Sequence, residues 1–224
     1  MKYAVISISD KRFESVAKIH DAMRNHEYVS DIEFVDGRIG NPFDILNHIG
    51  IRLDTYKPDD GRQYPMTATE AGCWISHIRC IDAVIERGYE SLLVFEDDAG
   101  IDDSFAAELD LLVGGLPKDY DFLSLYGDDI QNVFSESSDI GSAYIHKCIS
   151  QLSYNVAMLY SQKGARKISR LARRFGATYN VDSIIYRGSR DGMLNGYIVR
   201  PDLPPLVRHG EYQSIIDPTN DRMT

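Results

Sequence analysis

The stretch Ser91-Leu92-Leu93-Val94-Phe95-Glu96-Asp97-Asp98-Ala99-Gly100 constrains the fold more than any other, because an apolar run of strand length ends in three consecutive carboxylates. A run apolar on both faces belongs in the middle of a sheet covered by helices, usually a parallel one, and such sheets bind ligands in the crevice beyond their strand C-termini. Three adjacent acids there repel one another unless a divalent metal, basic side chains or bulk water offsets the charge. The plainer alternative is that Asp97 and Asp98 open a loop or cap the helix suggested by Asp102, Asp103, Ser104 and Phe105. On these residues alone the two readings stand level.

The rest of the chain alternates strand and helix patterns. Residues 3 to 8 read as a first strand, and Phe13, Val16, Ala17, His20 and Met23 recur behind it at helical spacing. Ile32 to Val35 read as a second strand closed by Asp36-Gly37, and residues 40 to 66, rich in Gly and Pro, as irregular connection with a short helix around Asp44 to Gly50. Thr67-Ala68-Thr69-Glu70 fits a capping box, and the apolar stripe Ala71, Trp74, Ile75, Ile78, Ile81, Ile85 predicts a helix ending before Gly88. A helix from Phe105 to Val113 precedes a strand over 121 to 126, which also ends on acids, Asp128 and Asp129. Residues 131 to 150 read as polar loop. A strand over 154 to 160 then leads into a helix capped by Ser161, and residues 197 to 200 form a last short strand. This alternation predicts one α/β domain over residues 1–224 with a mostly parallel central sheet, and a mobile Pro-rich tail over 201–224.

Composition narrows the partners. The 224 residues carry a formal net charge of -10, which argues against nonspecific nucleic-acid or anionic-membrane binding, although Lys163, Arg166, Lys167, Arg170, Arg173 and Arg174 form a local basic patch. Three cysteines, Cys73, Cys80 and Cys148, are an odd number without framework spacing and suit a reducing compartment. The N-terminal apolar run is too short for a signal segment, and none approaches the roughly 20 residues of a membrane span. The expectation is a cytoplasmic protein without a transmembrane segment.

Glu70, Cys73, His77 and Cys80 share one helical face. Structural zinc explains them poorly, since it takes four ligands from two short clusters and only Cys148 remains as another thiolate. Glu70 has a local role as the capping-box partner of Thr67, and the cysteines read as packing groups. Ser76 and His77 diverge by about 100 degrees on a helix and make no nucleophile and base pair. His77 faces either a ligand or the core.

Together, Thr69-Glu70-Ala71-Gly72-Cys73-Trp74-Ile75-Ser76-His77 and Leu93-Val94-Phe95-Glu96-Asp97-Asp98-Ala99 resemble glycosyltransferase family 25, which includes lipopolysaccharide (lipooligosaccharide) and collagen galactosyltransferases. The family pattern is Glu-x-Gly-Cys-x-x-Ser-His before a Leu-Glu-Asp-Asp strand end, and here Phe95 stands before the acids. Supporting matches are Arg12, Val35-Asp36-Gly37, Asp121-Phe122, Tyr160-Ser161-x-x-Gly164-Ala165, Val181-Asp182, Pro205 and Ser214-Ile215.

The resemblance implies a GT-A type nucleotide-sugar-binding fold, a UDP-sugar donor, most often UDP-galactose, a saccharide or glycan acceptor, a divalent ion (Mn2+ or Mg2+) and inversion at the anomeric carbon. Asp97 and Asp98 would hold the ion, Glu96 would be a ligand or bond the sugar or ribose, and Arg12 would meet the nucleotide, with Glu70 and His77 also on the donor side. Asp182 is the first candidate for the base that deprotonates the acceptor, against a helix N-cap as its local alternative, with Asp128 and Asp129 as rivals. His209 would complete the metal shell from the tail, where the family more often has glutamine; a solvated tail histidine is the alternative. Two other functions remain open on the sequence: a glycan- or nucleotide-sugar-binding module without catalysis, and a metal-dependent nucleotidyltransferase, the latter disfavoured by the lack of a Gly-rich phosphate loop after the first strand.

Overall fold

A computed structural model describes residues 1–7, 13–29, 42–52, 66–126, 137–149, 155–177, 181–200, 203 and 206–209. The predicted strand at 32–35, Arg12, Asp128 and Asp129 lie outside these residues, as does most of the 201–224 tail.

The elements follow as β1 (Lys2–Ile6), α1 (Phe13–Ala22), β2 (Glu27–Tyr28), α2 (Pro42–His48), α3 (Ala68–Glu86), β3 (Ser91–Glu96), β4 (Ala99–Gly100), α4 (Phe105–Gly114), β5 (Phe122–Ser124), β6 (Ser137–Asp139), β7 (Ile145–Cys148), β8 (Ala157–Ser161), α5 (Gln162–Phe175), α6 (Val181–Arg190), β9 (Gly196–Val199) and β10 (Arg208–His209). Eight strands form one sheet in the order β2-β1-β3-β8-β5-β9-β7-β6. β1 pairs in parallel with β2 and β3, and β5 with β9, while β8 runs antiparallel between β3 and β5 and β7 antiparallel between β9 and β6. Direction is therefore mostly parallel, with β7 and β8 reversed. This is the α/β organisation with one central sheet that the alternating pattern predicts.

β3 is central, as its sequence demands. Leu92 and Val94 pack with Trp74, Ile78, Met158 and Ile168 under α3 and α5, whereas Leu93 and Phe95 pack with Val5, Ile19, Phe105 and Leu109 under α1 and α4. Successive side chains thus enter opposite cores, the period of two that requires an apolar residue at every position.

Local signals fix the helix that flanks β3. Thr67 Oγ1 accepts from Glu70 N (3.1 Å) and Glu70 Oε2 accepts from Thr67 N (2.7 Å), a complete capping box. Thr67→Ala is expected to cost about 1 kcal/mol, read as a shift in the urea midpoint at unchanged slope. Ser161 similarly caps α5 by accepting from Gly164 N at 3.0 Å. The basic patch on α5 is partly structural: Lys167 Nζ donates to the fully buried carboxylate of Asp121, which also accepts from Asn195 N (2.7 Å), and Arg173 pairs with Asp82 at 2.9 Å.

Two stretches depart from the sequence expectations. Residues 131–150 contain β6 and β7, short strands at one sheet edge, where apolar alternation is weak and Lys147 lies over the Tyr197 ring. Around Asp182 stands a ten-residue helix, α6, that the sequence pattern does not announce; its buried face uses Val181, Asp182, Ile185, Tyr186, Gly188 and Ser189. No described helix is long and apolar enough to cross a membrane.

Candidate functional site

The C-terminal end of β3 gathers the predicted residues. Glu96 N donates to Val156 O (2.8 Å) and Asp97 N to Ile6 O (3.0 Å), so both neighbouring strands hold the backbone as it leaves the sheet. Asp97 and Asp98 form the turn between β3 and β4, and both carboxylates are buried, at 1% and 4% exposure. At the start of α4, Asp102 Oδ1 accepts from Ser104 N at 3.0 Å.

The helix α3 delivers its first half to this place. His77, fully buried, shares a 2.9 Å hydrogen bond between its Nε2 and Glu96 Oε1, with the N–H donating to the carboxylate. Ser76 Oγ turns away and donates to Gly72 O (2.8 Å), so no serine and histidine pair forms. One turn before His77, the Cys73 thiol is raised well above its usual range by burial and then by the charges of Glu96, Asp182, Asp98 and Glu70. These acids lie on α3, at the end of β3 and at the start of α6, and α3 packs against both of the other elements. Burial likewise pushes up the Cys80 thiol, in keeping with a packing role.

Asp182 lies in the first turn of α6, inside the helix, and is buried at 7%; its Oδ1 accepts from Ser183 N at 2.7 Å. Glu70 is engaged as the α3 capping partner through Oε2. The C-terminal segment returns to the acids: Val207 bridges Tyr126 at the end of β5, and β10 pairs antiparallel with β4 so that His209 stands opposite Ala99, the residue after Asp98. Ser15 Oγ of α1 donates to Ala99 O (3.1 Å) from the other side.

Two sets of residues could hold a cation. Asp97 and Asp98 offer hard carboxylate oxygens, the donors suited to Mn2+ or Mg2+. Cys73, His77 and Glu96 bring ligand atoms within 4.8 Å of one another, and they are the one such group among the described residues. Three ligands do not make the closed four-ligand shell of structural zinc. A cavity of about 360 Å³ lies elsewhere, between α5 and α6, lined by Trp74, Leu171, Phe175, Ile184, Arg187 and Met193 and by none of the predicted site residues.

Sequence reasoning missed Asn155, a buried residue just before β8. No motif marks it, and the pairing of β8 with β3 brings the start of β8 to the C-terminal end of β3.

Comparison with known proteins places these residues in context. The chain is 35% identical over 82 residues to inactive glycosyltransferase 25 family member 3 of Mus musculus, which covers 37% of this chain and 14% of that protein. It is 28% identical over 143 residues to the probable inactive glycosyltransferase 25 family member 3 of Bos taurus, covering 61% and 23%. The chain thus spans less than a quarter of either relative's length. Among solved structures, the galactosyltransferase LgtC in complex with donor and acceptor sugar analogues superposes with a TM-score of 0.47 at 12% identity, covering 95% of this chain and 87% of that one. Mouse xyloside xylosyltransferase 1 gives 0.44 at 7% identity, covering 94% and 97%. The model of glycosyltransferase family 25, described as a lipopolysaccharide biosynthesis protein, matches residues 5–185, from the first strand through Asp182, and the chain belongs to that family.

Proposed function

We propose that the protein is a metal-dependent inverting glycosyltransferase of GT-A type that moves a hexose, galactose by preference, from a UDP-sugar to a saccharide or glycan hydroxyl. The observation that carries this reading is the pair of buried carboxylates, Asp97 and Asp98, turned out of the central strand inside the segment matched to the family. Their donor chemistry fits Mn2+ or Mg2+, with His209 joining from β10. When bound, such an ion acts as a Lewis acid towards the diphosphate that leaves.

The chain's own residues supply the rest. Glu96, oriented by His77, meets the hexose or ribose, and Arg12 and Glu70 are assigned to the nucleotide. The acceptor hydroxyl oxygen attacks the anomeric carbon, its proton passes to Asp182, and the bond to the diphosphate oxygen breaks with inversion. Asp128 remains the rival base.

Turnover with a panel of UDP- and GDP-sugars, with and without Mn2+, tests the reading; no UDP-sugar turnover in the parent protein would overturn it. That outcome, combined with UDP-sugar binding, would establish the second reading, a nucleotide-sugar-binding module, which the names of the inactive relatives favour. Asp182→Asn is expected to lower kcat by roughly 10²–10⁴-fold with donor affinity unchanged. Weakened donor binding in that variant would move Asp182 to the donor side.

A further inference from the structure

Asn155 is 3% exposed, and both polar atoms of its amide, Oδ1 and Nδ2, are buried without a hydrogen-bond partner. Buried amides are nearly always satisfied, since leaving both ends bare costs free energy without structural return. Its place gives the reason. β3 and β8 pair from Ser91↔Ser161 to Phe95↔Ala157, and Glu96 N donates to Val156 O. Carried one residue further, this register sets Asn155 opposite Asp97. On its other side β8 pairs with β5, and Leu125 N donates to Ala157 O at 3.0 Å. Asn155 therefore sits between the C-terminal ends of β3 and β5, beside the acid turn.

We infer that Asn155 is a sugar-reading residue of the donor site, its amide held bare until it meets hydroxyl groups of the transferred hexose. This inference rests on the proposed donor chemistry and adds a specificity residue to it. The chemistry of the amide selects the ligand. A phosphate or carboxylate accepts only, and would set its charge against Oδ1. A hydroxyl both donates and accepts, so adjacent hydroxyls satisfy Oδ1 and Nδ2 together. A site built to bond hydroxyls rejects a ligand that lacks them more strongly than an apolar pocket can, because its own groups are then stranded.

The test compares Asn155→Leu, nearly isosteric but apolar, and Asn155→Ala with the parent protein, measuring by calorimetry the Kd for UDP and for UDP-galactose with Mn2+ present, and the Tm of the ligand-free proteins. UDP-galactose is expected to bind about tenfold more weakly to both variants, the loss of two neutral hydrogen bonds, with UDP affinity unchanged. The Tm of Asn155→Leu is expected to hold or rise by a few degrees, since an unsatisfied polar group is removed. Parent-like binding of UDP-galactose by both variants would overturn the inference and leave the proposed function standing. Equal weakening of UDP and UDP-galactose would place Asn155 on the nucleotide and overturn it too, as would a clear fall in the Tm of Asn155→Leu, the mark of a structural role. A parent protein that binds no UDP-sugar in the panel would overturn both readings, and that failure is seen in the parent alone.

Discussion

Asp97→Asn and Asp98→Asn are each expected to reduce UDP-sugar turnover by roughly 10²–10³-fold, the usual cost of removing one preorganised charge-stabilising group. Neither substitution should lower the Tm of the ligand-free protein. Asp97 and Asp98 are buried neighbours in one turn, and an amide of the same shape keeps the packing there while it removes a charge. Loss of activity without loss of stability is the pattern expected of a functional group. Initial rates across a Mn2+ series, with thermal unfolding of the same preparations, check this. Full activity in both variants would dismiss the acid turn as the metal site, and a large fall in Tm would make it a structural feature.

Gly164→Ala is expected to be the most damaging small substitution outside that turn, destabilising the protein by more than about 3 kcal/mol. A Cβ at position 164 would lie 1.8 Å from Asp121 O and 2.5 Å from its carbonyl carbon, backbone against backbone. Asp121 cannot retreat. Its N donates to Asn195 O (2.8 Å), its carbonyl accepts from Ser161 N (3.1 Å), and its buried side chain accepts from Asn195 N and Lys167. The Tm should fall by on the order of 10 °C. Gly114→Ala supplies the contrast, because nothing lies within 4 Å of a Cβ there and the residue closes α4; a small gain is expected from reduced freedom of the unfolded chain. Similar Tm changes for the two variants would refute the packing argument.

What was legible in the sequence follows the range over which each signal acts. The capping box at Thr67 and Glu70, the apolar stripe of α3, the two-faced strand β3 and the Ser161 cap are written within a few residues of themselves, and each stands where the pattern put it. β2 is an exposed pair, Glu27–Tyr28, with no apolar pattern to announce it. β7 has only its end residues buried, and α6 interrupts a buried face of Val181, Ile185 and Tyr186 with Gly188 and Ser189. For the site, sequence spacing brought Glu70, Cys73 and His77 to one helix face and set the acids at a strand end. It did not show that His77 bonds Glu96, nor that the start of β8 meets the end of β3, because both follow from pairing between distant segments.

The return of β10 to β4 also sets an order of events in time. Arg208 pairs with Gly100, more than a hundred residues earlier, so the flank of the acid turn is closed by chain that leaves the ribosome long after the turn itself. At about 5–20 residues per second this is a wait of several seconds. β8 and α5, which flank and cover β3, also emerge in that interval, at residues 157–175. A chain ending just short of Val207 would hold every strand of the central sheet, while its acid turn would still lack the β10 wall.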